Sequence, residues 1–279
     1  VSAPETKVDL ELNGAVASVT LRRPEVRNAF DEQVLAGLEH AFEQCAASET
    51  IRVVVLSGDG PAFCAGADIG WMRREGARSA RDNAITAQRM AELFERIDSL
   101  PLPVIVRAQG AALGGGLGLV AVGDIVIVSR DCKFSLPEVR LGILPAVVAP
   151  YVVAKIGTAR ARDLFLTGRR FGGVEAESWG LATRVVDEEE LDAEVDRATR
   201  QLLAGGAEAI TRAKRLIRGI DGRRAADVHG FTASEIAAAR SSAEGQEGLS
   251  AFLEKRRASW IEEPPLSANA DERDDHGAS

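Results

Sequence analysis

The run from Pro103 to Gly118, PVIVRAQGAALGGGLG, sets Gly114, Gly115 and Gly116 between a short apolar segment, Val104-Ile105-Val106, and a second one, LGLVAV. The first reads as a buried strand broken at Gly110, and the second is long enough for about two helical turns. A strand, a glycine turn and a helix start leave backbone N–H groups unpaired, uncovered by side chains and at the positive end of a helix dipole. That setting suits a phosphate or a developing oxyanion. Three glycines also let a helix pack closely on a strand with no ligand at all.

Spacing tests the phosphate readings. A dinucleotide fingerprint starting at Gly114 would need glycine at its sixth place, where Leu119 stands, and no Gly-Lys-Ser or Gly-Lys-Thr follows as a P-loop requires. Both signatures fail. A second strand-to-loop segment precedes this one: Val53-Val54-Val55-Leu56, a turn at Ser57-Gly58-Asp59-Gly60, then Phe63-Cys64-Ala65-Gly66-Ala67-Asp68, with Asp68 where a helix start favours negative charge. Twenty residues beyond Gly118, Phe134-Ser135-Leu136-Pro137-Glu138 places a carboxylate among Phe134, Leu136, Val139 and Leu141. Desolvation there would raise its pKa toward the range a general acid/base needs near neutral pH. Taken alone, Glu138 reads better as a capping residue or a surface partner of Arg140; the glycines twenty residues earlier turn the balance to catalysis.

These motifs, in this order, resemble the crotonase, or enoyl-CoA hydratase/isomerase, superfamily. The likeness runs from Leu21-Arg22-Arg23-Pro24 and Asn28-Ala29-Phe30, through Phe63 to Asp68, Gly110 to Gly118 and Glu138 to Pro145, to Glu247 through Arg256. It covers roughly residues 8 to 260. The resemblance implies an α/β crotonase fold, a repeated strand-strand-helix spiral core followed by C-terminal helices that build an oligomer. It also implies an oxyanion hole from the Ala67 and Gly115 N–H groups for an acyl-CoA thioester carbonyl, with Glu138 as the proton-transfer group. One such donor is worth roughly 3 to 4 kcal/mol to an enolate. Substrate contacts are implied at Ala65, Asp68, Ile69, Gly114 and Gly118, with Arg27 near the CoA phosphates and Lys255 near a neighbouring subunit's CoA. No metal or cofactor is implied beyond the CoA of the substrate.

One departure stands out. Two-glutamate hydratases carry a catalytic Glu where this chain has Gly118, so only Glu138 remains. A single carboxylate permits addition or removal of water across a 2-enoyl-CoA, and it equally permits a proton shuttle between alpha and gamma carbons. Residues 116–120 and 138–146 resemble the bacterial methylglutaconyl-CoA hydratase branch, which acts on branched, carboxylated enoyl-CoAs in leucine breakdown. A substrate carboxylate would want a cation, for which Arg73, Arg74 and Arg140 are candidates. A non-catalytic acyl-CoA binder is the alternative from another class.

The elements that position these residues follow from periodicity. The 279 residues, 46% hydrophobic, suffice for one large core and a smaller appendage. Hairpin strands are expected over 8–12 and 15–21, a helix from Asp31 to about Ala46, helices over 70–77 and 79–100, strands over 124–129 and 133–135, and two helices over 146–166. A turn over 167–171, a helix over 174–180 and a last strand at 185–186 complete that core. Beyond Glu188 the pattern is helical, over 188–203, 207–218, 225–240 and 248–258. Gly205-Gly206 marks the expected boundary, giving a core over 1–203, a trimerisation region over 204–261 and a disordered acidic tail over 262–279. The resemblance implies a homotrimer or a dimer of trimers.

A formal net charge of −8 opposes nucleic acid as the main partner. No apolar run reaches the ~20 residues of a membrane span, and nothing near Val1 resembles a signal peptide, so a cytoplasmic protein is expected. Cys45, Cys64 and Cys132 fit no zinc spacing and read as reduced core thiols. His40 and His276 have no partner motif and receive no role.

Overall fold

Asn13-Gly14 does turn the chain: β1 (Val8–Asn13) and β2 (Val16–Leu21) pair antiparallel across it in the computed structural model, which describes residues 7–261. Asp31 then caps α1 (Glu32–Ala47), its carboxylate accepting from the Gln33 and Val34 N–H groups. Val34, Leu35, Leu38, Ala41, Phe42 and Cys45 form the buried stripe of that helix, at the spacing read from the sequence.

From here strands and helices alternate: β3 (Val53–Gly58), α2 (Ile69–Gly76), α3 (Ala80–Ser99), β4 (Val104–Ala108), β5 (Ala111–Leu113), α4 (Gly115–Ala121), β6 (Ile125–Ser129) and β7 (Lys133–Ser135). After them come α5 (Ala149–Thr167), β8 (Phe171–Gly172), α6 (Gly173–Ser178), β9 (Arg184–Val186) and α7 (Leu191–Leu203). Gly157, at φ 75°, breaks α5 into the two helices expected there.

The strands form two sheets. The larger runs β1-β2-β3-β4-β6-β9 and is parallel from β2 onward; the smaller runs β5-β7-β8. A bridge from Cys64 to Ala112 and another from Phe30 to Ala67 carry the second layer toward the first loops of the chain. One face of the large sheet and the helices around it enclose the main core, while Val53, Ile105 and Ile127 on the other face meet Leu191, Val195 and Ala198 of α7. Burial on both faces explains why these strands read as unbroken apolar runs.

Two expectations need correction. β5 and β8, of three and two residues, are strands beyond those expected, because strands so short carry almost no periodic signal. After α8 (Ala207–Ile220) and α9 (Ala225–Ser241), the last helix, α10 (Ala243–Leu253), begins and ends about five residues before the expected 248–258. Ser242 caps it by accepting from the Gly245 N–H. A small-residue run, SSAEGQEGLS, hid that start. The expected acidic tail over 262–279 lies outside the described residues.

Asn28 ties the first loop to the sheet. Fully buried and at φ 56°, it accepts from the Arg23 N–H at 2.7 Å and donates to the Asp59 and Ala62 carbonyls, each at 2.8 Å. Asn28→Ala removes all of these bonds and places an alanine in the left-handed region, so urea unfolding should show a loss of about 3 kcal/mol.

Candidate active site

Two glycine loops meet at the top of β3 and β5. A Cβ on Gly66 would stand 2.7 Å from the Leu113 carbonyl oxygen and 3.7 Å from Gly114 Cα, so the loops touch backbone to backbone. Gly66 at φ 90° and Gly114 at φ 49° also adopt conformations that residues with a Cβ resist. The contact sets Ala67 and Gly115, the next residue of each loop, beside one another.

Both N–H groups are left without a protein acceptor among the described residues. Phe30 bonds on either side of Ala67, its N–H to the Gly66 carbonyl and its carbonyl to the Asp68 N–H, each at 2.7 Å. Gly115 is the first residue of α4, where helical geometry offers its N–H no partner. The Phe30 ring covers Gly115 from the side, close enough that a Cβ there would lie 3.0 Å from it. Two free backbone donors thus stand on adjoining residues of loops that touch.

Glu138 approaches from a third direction. It sits in a 3-10 turn over Pro137–Leu141 that ends at Gly142, φ 74°. Its Oε1 lies against Gly114, where a Cβ would come within 2.8 Å, and its Oε2 is buried with no hydrogen-bond partner. Desolvation holds the carboxyl above the usual carboxylate range, with a backbone hydrogen bond as the lesser, opposing influence. A carboxyl held against the second glycine loop with one buried oxygen left open can take and return a proton there.

The Gly118 position is closed. A Cβ there would lie 2.8 Å from Val148 Cβ and 3.0 Å from Phe94 Cε1, so apolar side chains fill the space of a second carboxylate. Gly118 is buried in α4 behind the loop rather than lining an open surface. No sequence signal marks Val148 or Phe94 for this role, because their meeting depends on how α3 and α5 pack.

Ala65 bonds through its N–H to the Arg27 carbonyl at 2.8 Å, so the Arg27 loop is anchored to the first glycine loop. The Arg27 side chain is exposed, and it has no ion-pair partner among the described residues. Asp68 caps α2 by accepting from the Trp71 N–H at 2.8 Å and lies 3.7 Å from Arg23, which also pairs with Asp31 at 3.1 Å. Its carboxylate is therefore engaged in holding the loop. Ile69, 60% exposed, presents an apolar surface next to it. Trp71 is buried and Met72 half-buried. Lys255 follows α10 at φ 55°, bonded to the Phe252 carbonyl at 3.2 Å, and the fold does not bring it to the two loops by any described contact. Arg140 donates to the Thr167 carbonyl at 3.2 Å, whereas Arg73 and Arg74 are exposed at the end of α2.

Cys64 lies under the site, its thiol donating to the Asn28 carbonyl at 3.1 Å and pushed up to about 12 by burial. It is a packing residue, not a nucleophile.

The family described as Enoyl-CoA hydratase/isomerase matches residues 11–263. The 1,2-epoxyphenylacetyl-CoA isomerase of Escherichia coli K12 is 32% identical over 243 residues, covering 86% of this chain and 93% of that protein. Among solved structures, an enoyl-CoA hydratase from Shewanella pealeana aligns with TM-score 0.88 at 36% identity, covering 91% of this chain and 96% of that one. An enoyl-CoA hydratase from Mycobacterium smegmatis aligns with TM-score 0.87 at 30% identity, covering 92% of this chain and 99% of that one.

The Glu138 environment predicts a pH signature in stability. A carboxyl raised on folding is harmless to stability below its unfolded value near 4.3, and the native state loses stability as pH rises through the raised value. Glu138→Gln should therefore melt close to the wild type at pH 4 and above it at pH 8, as read by paired thermal melts.

Proposed function

The chain belongs to the enoyl-CoA hydratase/isomerase family and has the crotonase fold, and from that premise we propose that it is a single-glutamate enoyl-CoA hydratase. The observation that carries the reading is the unpartnered, buried Oε2 of Glu138 beside the two glycine loops. In hydration, the thioester carbonyl oxygen accepts from the Ala67 and Gly115 N–H groups. The Glu138 carboxylate removes a proton from water as the oxygen adds to C3, and the electron pair of the double bond moves onto the thioester oxygen as an enolate. The protonated Glu138 then gives that proton to C2. Water is thereby divided between the two carbons and Glu138 returns to its starting form.

The substrate we infer is a branched 2-enoyl-CoA with a distal carboxylate, of the 3-methylglutaconyl type. Support comes from the likeness of residues 138–146 to that branch and from Arg73 and Arg74, exposed cations at the end of the helix that follows the first loop. Arg27 serves the CoA phosphates. A homotrimer completes the unit, supported by Phe252 and Leu253 of α10, which stand 82% and 79% exposed. Lys255, beside them, then reaches a neighbour's CoA.

A second reading, enoyl-CoA isomerisation, is favoured by one observation: Val148 and Phe94 occupy the Gly118 position, so Glu138 has no second carboxylate there to share the handling of water. The same hole would hold a dienolate while Glu138 moves a proton from the alpha to the gamma carbon, or back.

Absorbance of the conjugated thioester separates these readings. Wild type should consume 3-methylglutaconyl-CoA faster than crotonyl-CoA, and Glu138→Gln should lower that rate about a hundredfold or more. A gain of conjugation from a 3-enoyl-CoA with no hydration would replace the hydratase by the isomerase. Tight thioester binding without turnover of any of these substrates would remove the enzymatic assignment for them. Gly118→Glu alone should be poorly folded, because its side chain meets Val148; adding Val148→Gly should restore folding in far-UV and near-UV dichroism and raise hydration relative to the single variant.

A further inference from the structure

A cavity of about 730 Å³ lies away from the reaction site. It opens between the start of α5, the turn from α4 to β6, and α8, and contains none of Ala67, Gly115 or Glu138. Phe94 and Val148 separate the two regions: both stand against Gly118, and the Phe94 ring also packs on Tyr151 of the cavity wall, with centroids 6.1 Å apart.

The wall is mainly apolar, through residues such as Val122, Ile125, Leu202, Ile210 and Ile217, but its charged groups are unequally satisfied. Asp124 pairs with Lys214 at 2.6 Å and accepts from the Val104 N–H at 2.7 Å. Asp98 lies 3.5 Å from Arg218, and Asp221 closes the end of α8. Lys155 is the lysine or arginine of this wall that has no ion-pair partner among the described residues. Its ammonium donates to the Gly123 carbonyl at 2.8 Å and retains two further donors. Burial pushes its pKa down, while Asp124 and Asp98 act in the opposite direction and Lys214 adds to the depression.

We propose that this cavity binds a medium-chain aliphatic carboxylate, with its head on the Lys155 ammonium and its chain along the apolar wall between α5 and α8. An anion completes the hydrogen bonding of a partly desolvated cation, and the volume falls within the roughly 300–1,000 Å³ range of small-molecule sites. The inference is independent of the hydratase reading, since it uses no residue of the reaction site.

Calorimetric titration of the full chain with decanoate tests it. One decanoate per chain should bind, and saturating butyryl-CoA should not displace it. Lys155→Met should weaken binding about tenfold or more, and 1-decanol should bind less tightly than decanoate. Ala213→Trp, which fills the cavity from α8, should abolish binding while the melting temperature and enoyl-CoA turnover stay near wild type. Absence of decanoate binding, displacement by butyryl-CoA, or equal affinity for decanoate and decanol would each overturn the proposal. Should Lys155→Met fail to fold, the decanol comparison and Ala213→Trp still decide it.

Discussion

The site depends on two stretches of backbone approaching more closely than side chains would allow. Gly66 faces the Leu113 carbonyl, and Gly116 lies against the Cys64 carbonyl, with no space at either place for a Cβ. Hydrogen bonds reinforce the approach: the Cys64 N–H donates to Ala111 and the Leu113 N–H to Cys64, at 3.0 and 2.9 Å. Because the loops are locked by their own backbones, their free N–H groups need no side chain to aim them. Donors fixed in this way pay no reorganisation when charge develops on a bound carbonyl, which is the physical basis of an oxyanion hole.

Glu138 shows the opposing side of that economy of parts. Holding an acid among apolar neighbours costs native stability once it ionises, yet the same desolvation brings its proton affinity nearer to neutral pH. The surrounding fold must offset this strain. Asn28, buried and fully hydrogen-bonded, and the Arg23 cluster with Asp31 and Asp68 do so at the base of the first loop.

Much of this was legible in the chain. The apolar stripe of α1, the Asn13-Gly14 hairpin, the division of α5 and the glycines of both loops are local features, set by residues close in sequence. Glu138 stood out by its apolar neighbours. What escaped notice depends on distant packing: β5 and β8 exist only because β7 lies between them, and the closure of the Gly118 position requires α3 and α5 to meet there. The last helix was displaced because a cap at Ser242 leaves a weaker trace than an apolar stripe.

The order β1-β2-β3-β4-β6-β9 has a bearing on synthesis. Each strand of the large sheet joins the edge left by the strand before it, so the sheet extends in the direction in which a ribosome delivers the chain. Parallel pairing requires long loops to close first, which ordinarily slows folding. Sequential accretion eases that search, since every newly made strand of this sheet pairs with the one made just before it.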